Sequence, residues 1–257
     1  MGAKKSLGQN FLKSKSIIDI ILRAGEVSKN DFVLEIGPGK GILTEGLIKE
    51  GARVLAVEKD DELFRFLETK FVKEIMDKQL ELVHGDILEV NLSKLGKYKL
   101  IANIPYNLTG KILKSFLMRK KQPSLVVFLL QKEVAERIIA KDGKEDFFSI
   151  IIKAYGKPQY IKKVPKEHFR PMPKVDSAIL LIKDIDKSFF KGVREEEFFK
   201  LVKTGFAHKR KTISNNLREW FSENPSLSLE KIGVDSKRRA ENLSLREWKS
   251  IFLSTMK

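Results

Sequence analysis

No cysteine occurs anywhere in this chain, which excludes disulfides, thiolate metal sites and covalent group transfer through a cysteine. Histidine is scarce as well. His84, His168 and His208 are far apart and lack helical ligand spacing, so no metal is expected. No apolar run of about 18 residues and no secretory signal pattern is present. A soluble, cytoplasmic protein without a membrane partner is therefore expected. Internal repeats and low-complexity tracts are also missing. Acidic residues are in deficit: 50 Lys and Arg face 34 Asp and Glu, a net charge of +16. That balance suits a polyphosphate partner, although basic chains also bind membranes or are simply soluble. With 257 residues, 42% of them hydrophobic, the chain can build a sizeable core plus a smaller appendage.

What is present begins with an apolar strand, Phe32-Val33-Leu34-Glu35-Ile36, followed by Gly37-Pro38-Gly39-Lys40-Gly41. A helical pattern follows, with Ile42, Leu43, Leu47 and Ile48 on one face. Glycines at a strand-to-helix turn let the backbone pass close to a ligand, near the amides of a helix N-terminus. The spacing Gly-x-Gly-x-Gly differs from the Gly-x-Gly-x-x-Gly of dinucleotide binders and fits a ligand without pyrophosphate. A second strand, 53–57, ends in Glu58, seventeen residues beyond Gly41. An acid at that strand tip is placed to hold ribose hydroxyls. A third strand, 80–84, ends in Gly85-Asp86-Ile87, where a carboxylate can accept from an adenine amine and Ile87 can cover the ring. Taken singly, Glu58 and Asp86 also read as solvated strand-end acids. At successive carboxyl ends of parallel strands, they converge on the crevice where such sheets bind ligands.

A fourth strand, 98–102, delivers Asn103-Ile104-Pro105-Tyr106 to the same edge. Those residue types suit an exocyclic amine on a nucleobase. Its lone pair is spread into the ring, so the nitrogen is a poor nucleophile. Two acceptors, the Asn103 side-chain oxygen and the Ile104 carbonyl, can take its hydrogens and favour a more pyramidal nitrogen. Pro105 fixes the backbone, and the Tyr106 ring can stack on a base taken out of its helix. The plainer alternative is a strand end turning through a proline. The glycine turn and the two acids favour a methyl-donor site, with S-adenosylmethionine below and a flipped base above.

Further segments add to these: Gln9-Asn10-Phe11-Leu12, Gln131-Lys132-Glu133-Val134-Ala135, the run from Phe169-Arg170-Pro171-Met172-Pro173-Lys174 to Ala178, and Arg239-Ala240-Glu241-Asn242-Leu243. With Glu35–Gly41 and Asn103–Asn107 they resemble the KsgA-type rRNA adenine N6,N6-dimethyltransferases, in order from about residue 4 to the end of the chain. The segment Asp146-Phe147-Phe148-Ser149 departs from the Tyr-Gly expected there and puts its local packing in doubt. The resemblance implies an α/β, Rossmann-like methyltransferase domain with a small C-terminal all-helical domain. It also implies S-adenosylmethionine as cofactor and dimethylation of two adjacent adenosines in a hairpin loop near the 3′ end of small-subunit rRNA. The partner is then the assembling ribosomal subunit, and a monomer is expected. By resemblance, Asn10 and Leu12 touch the cofactor, along with Gly37, Gly39, Gly41, Glu58, Lys59, Asp86, Ile87 and Asn103. Phe169 is expected to face Tyr106 across the target base. Two alternatives remain: a resistance-type methyltransferase of large-subunit rRNA, and a catalytically inactive binding factor of the same fold.

Alternation of strands and helices runs to the strand at 177–182, with an apolar stretch near 148–154 counted within it. The charged 184–191 segment sets a boundary at 186, giving a catalytic domain 1–186 and a helical RNA-binding domain 187–257. Helices are expected over 195–206, 209–221 and 245–253, with Trp220 and Trp248 as core. Lys209-Arg210-Lys211, Lys237-Arg238-Arg239 and the N-terminal Lys4 and Lys5 are candidate phosphate contacts; a solvated helix face is the alternative. The basic N-terminal segment is expected to be mobile without ligands, with residues 9–12 closing over the cofactor.

Overall fold

The computed structural model describes residues 9–93, 95–105, 108–140 and 143–256. Lys4, Lys5 and Tyr106 lie outside them. The chain forms two compact units, 1–135 with 157–185, and 136–156 with 186–257.

The first unit opens with a short strand β1 (Phe11–Leu12) and helix α1 (Lys15–Ala24). Then come β2 (Phe32–Ile36), α2 (Ile42–Lys49), β3 (Arg53–Glu58), α3 (Asp61–Lys70), α4 (Val72–Met76), β4 (Leu80–His84) and β5 (Lys99–Asn103). Helix α5 (Thr109–Met118), β6 (Leu125–Gln131) and the start of α6 (Lys132–Ile139) follow. The unit resumes with β7 (Lys157–Val164), β8 (Phe169–Arg170) and β9 (Ser177–Lys183). Seven strands make one sheet in the order β4-β3-β2-β5-β6-β9-β7. β4 through β6 run parallel, and β9 is antiparallel to both β6 and β7. From β2 the chain winds outward through β3 and β4, then crosses back to β5 and β6. That reversal leaves a crevice at the carboxyl ends of β2 and β5, the Rossmann-like ligand position.

Central strands of a parallel sheet are covered on both faces and therefore read as continuous apolar runs. β6, Leu-Val-Val-Phe-Leu-Leu-Gln, is buried from Leu125 through Leu130. β7 is the sheet edge and is built differently. It carries Pro158, exposed lysines at 157, 162 and 163, and a register shift between Tyr160 and Lys162. Those features discourage pairing with another chain.

The second unit is helical: the second half of α6, α7 (Phe147–Tyr155), α8 (Glu195–Gly205), α9 (Ile213–Asn216), α10 (Pro225–Lys231) and α11 (Leu245–Thr255). The unexpected Asp146–Ser149 segment is a capping box. Asp146 accepts from the Ser149 amide at 2.7 Å, while Ser149 Oγ accepts from the Asp146 amide at 2.9 Å. α8 starts with three glutamates, favourable at the positive end of the helix dipole. Tyr155, Phe190, Phe198, Phe199 and Phe252 meet in tilted and edge-to-face pairs around the core. Trp248 is fully buried, stacked on Phe206 and seated over Gly205, where a Cβ would have no room.

Three expectations differ from this arrangement. The apolar stretch near 148–154 is α7, and it packs with α8 and α11 rather than with the α/β alternation. The helix expected over 209–221 is only α9 plus a 3-10 turn at Arg218–Trp220. There Asn216 Nδ2 donates to the carbonyls of Gly205 at 2.7 Å and His208 at 3.2 Å, holding 206–211 as a turn. Trp220 is only half-buried, so Trp248 alone of the two tryptophans is core.

Candidate active site

β2 delivers the chain into the glycine turn, where Gly37, Gly39 and Gly41 all have positive φ, 61°, 61° and 76°. A side chain at Gly37 would meet nothing within 4 Å, so its α-carbon faces open space. Gly41 differs. It is the N-cap of α2, and a Cβ there would collide with Leu67 and Phe71. Gly41 is thus a turn and packing residue and does not line the cavity, contrary to its expected cofactor contact.

Glu58 ties three pieces together. Its carboxylate accepts from the amides of Gly39 at 3.0 Å, Lys59 at 2.9 Å and Asp60 at 2.9 Å. Burial pushes its pKa up, and those three amides pull against the shift. The glycine turn is therefore clamped to the tip of β3 before any ligand arrives. Asp86, beyond β4, accepts from the Leu88 amide at 3.0 Å and from Lys59 Nζ at 2.9 Å. The Leu88 amide, then Lys59, hold Asp86 below its usual pKa.

Asn103 ends β5 at the same edge, and its Nδ2 donates to the Asn10 carbonyl at 3.3 Å. Neither its Oδ1 nor the Ile104 carbonyl receives a hydrogen bond from a described residue. Both acceptors that an exocyclic amine needs are thereby left open.

These elements enclose a cavity with about 1120 Å³ of empty space, part of it continuous with solvent. Asn10, Leu12, Gly37, Gly39, Glu58, Lys59, Asp86, Ile87, Asn103, Ile104 and Pro105 line it, so eleven expected site residues come together. Residues 9–12 are already docked over it. Gln9 Nε2 reaches Asp60 Oδ2 at 3.1 Å, and Phe11 and Leu12 pair with Arg170 and Phe169.

Phe169 is also placed differently from expectation. It is 2% exposed, in the core with Leu12 and Val164, and does not line the cavity. Pairing of β8 with β1 turns its ring inward, so no base-stacking wall is presented. Met172, on the same loop between Pro171 and Pro173, is 60% exposed instead.

Glu35 has no place among the residues expected from the sequence to form the site. It lines the cavity at 1% exposure and accepts from Thr44 Oγ1 at 2.7 Å. Burial first, and then the Glu58 charge, raise its pKa to about 8, with the Thr44 hydrogen bond opposing. Its position in an apolar strand immediately before the glycine turn is the signal that points to it.

In the helical unit, Lys209, Arg210 and Lys211 are exposed on the turn held by Asn216. Arg238 is otherwise engaged: it pairs with Glu247 and donates to the Asn242 carbonyl. It closes the start of α11 and is not available as a phosphate contact, leaving Lys237 and Arg239 exposed. Among the described residues no cluster of potential metal ligands occurs.

The family described as ribosomal RNA adenine dimethylase matches residues 2–257. The chain belongs to that family. A ribosomal RNA small subunit methyltransferase A of Dehalococcoides mccartyi (strain ATCC BAA-2100) is 42% identical over 221 residues, 84% of this chain and 75% of the relative. Its counterpart in Fusobacterium nucleatum is 39% identical, covering 83% and 82%. Among solved structures, a dimethyladenosine transferase from Plasmodium falciparum superposes with a TM-score of 0.82 at 25% identity, over 95% of this chain and 96% of that one. The 23S rRNA methyltransferase ErmE shares the fold, with a TM-score of 0.80 at 23% identity over 96% and 100%.

Proposed function

We propose that this dimethylase family member transfers methyl groups from S-adenosylmethionine to N6 of two adjacent adenosines in a 3′-terminal hairpin loop of small-subunit rRNA, acting on the assembling subunit. The observation that carries the reading is the acceptor pair, Asn103 Oδ1 and the Ile104 carbonyl, left open by the described residues, on two residues that line the same cavity as the glycine turn and Glu58. The curated relatives are named for the small subunit, and the likeness to the large-subunit enzyme bears on fold alone.

The residues present fit the cofactor. Gly37 leaves space where any side chain would intrude, and Glu58 keeps acceptor capacity for ribose hydroxyls beyond its three amide bonds. Asp86 and Ile87 line the part of the cavity suited to an adenine, one as acceptor and one as apolar cover. When bound, S-adenosylmethionine supplies an electrophilic methyl group. Asn103 and Ile104 hold the amine hydrogens and orient the nitrogen lone pair, so positioning and electrostatics carry the rate. The released proton leaves to water, and no general base is assigned. Tyr106, the expected stacking partner for the base, follows Pro105 directly in the chain.

Labelled cofactor mixed with purified, unmethylated small subunits tests the reading. Label recovered as dimethyladenosine in small-subunit rRNA is expected. Label confined to the large subunit, or none at all, would overturn it.

A further inference from the structure

Between Glu89 and Glu133 lie 43 residues with nine lysines and arginines and no aspartate or glutamate. Their +9 and the +7 of residues 187–257 account for the whole net charge, so the remaining 143 residues balance to zero. The acid-free stretch contains Asn103 and, directly after it, α5.

Some of these cations serve the fold. Lys99 reaches Asp31 at 2.9 Å and the Glu26 carbonyl at 2.6 Å. Lys121 donates to the carbonyls of Ser93 and Leu95, and Arg119 lies 4.3 Å over the Phe116 ring. Lys111, Lys114 and Lys120 are exposed and have neither an ion pair nor a hydrogen bond among the described residues. Lys111 and Lys114 share one face of α5, three residues apart. The opposite face is fixed by Ile112, Leu113, Phe116 and Leu117, each 0% exposed, so the lysine face has one orientation. Lys111 lies close enough to the cavity for its charge to act on Asp86. A surface of one sign without ion pairs of its own repels itself, and a polyanion relieves that repulsion.

We propose that the outer face of α5, carried by Lys111 and Lys114, binds the phosphates flanking the nucleotide being modified; Lys120 lies beyond the end of α5, before β6, and has no part in it. The proposal rests on the reading that the substrate is RNA. Holding a base outside its helix requires the strand on either side to be held, and phosphate contacts do this without reading sequence. The helical unit's clusters offer charge elsewhere on the chain. The α5 lysines offer it on the element that continues from the acceptor pair itself.

The test uses the full chain with Lys111 and Lys114 both changed to Gln. A control carries Lys29→Gln and Lys49→Gln, exposed lysines that precede β2 and β3 at the opposite edge of the sheet. Binding to unmethylated small subunits is measured across a potassium chloride series, with calorimetry for S-adenosylmethionine. The log–log salt slope of the α5 variant should become shallower by about 0.7 for each phosphate no longer neutralised, roughly 1.4 in all. Its KM for subunits should rise while kcat and cofactor affinity stay level, and the control should keep the wild-type slope. A wild-type slope in the α5 variant, or an equal loss in the control, overturns the proposal. A wild-type chain that methylates no subunit overturns the functional reading instead, while the slopes still decide the α5 surface.

Discussion

The two units put their chemistry in different places. In the α/β unit, the residues facing the cavity sit where strands end: Glu58 on β3, Asp86 just past β4, Asn103 on β5. Strand ends are visible in sequence because an apolar run stops, and parallel strands send all their carboxyl ends to one edge. In the helical unit no such rule operates. Lys209 and Arg238 look equivalent as basic residues, yet one is exposed on a turn and the other closes α11 through Glu247. Function in a parallel sheet follows from chain order. In a helical bundle, it depends on which face each helix turns outward.

Trp248→Ala should give the largest change, about 3–5 kcal/mol of lost stability, because it empties the centre of the helical core. Hydrogen exchange should show that loss in α8 and α11. Uniform loss across the parallel sheet would mean the two units do not differ as described. Asn103→Ala should leave stability nearly untouched and reduce methyl transfer by about 10²–10³-fold at saturating cofactor, the effect of deleting one oriented polar group. Near-normal turnover would remove Asn103 from its role.

Glu35→Gln sharpens the contrast from within the sheet. The folded pKa of Glu35 is raised to about 8 from 4.5. The stability it contributes is therefore fully present below the unfolded value and lost as pH rises toward 8. Urea melts between those limits should show wild-type stability falling with pH and a flatter profile in the Gln variant. Equal slopes would mean that Glu35 is ionised in the folded protein. The smallest effect belongs to Arg238→Ala, about 1 kcal/mol given partial exposure of the pair, with the salt slope for RNA unchanged. A shallower slope would return Arg238 to the phosphate contacts.

The amino-acid sequence by itself determined the parallel strands, the glycine turn, the acids at the tips and the Asn-Ile-Pro-Tyr segment, since periodicity and spacing are local properties of a chain. Glu35 escaped that reading although its place in an apolar strand before the glycine turn marks it, because the burial that raises its pKa is supplied by residues elsewhere in the chain. Only the tertiary structure decided that α7 joins the helices, that Leu12 pairs with Phe169 and turns its ring inward, and that Arg238 is consumed by a cap. The first two depend on a partner far along the chain, α11 for α7 and β1 for β8; the third depends on which way Arg238 turns among its near neighbours Asn242 and Glu247. Contacts of the first kind are set by competition among whole surfaces for burial, and no window of neighbouring residues contains the competitors.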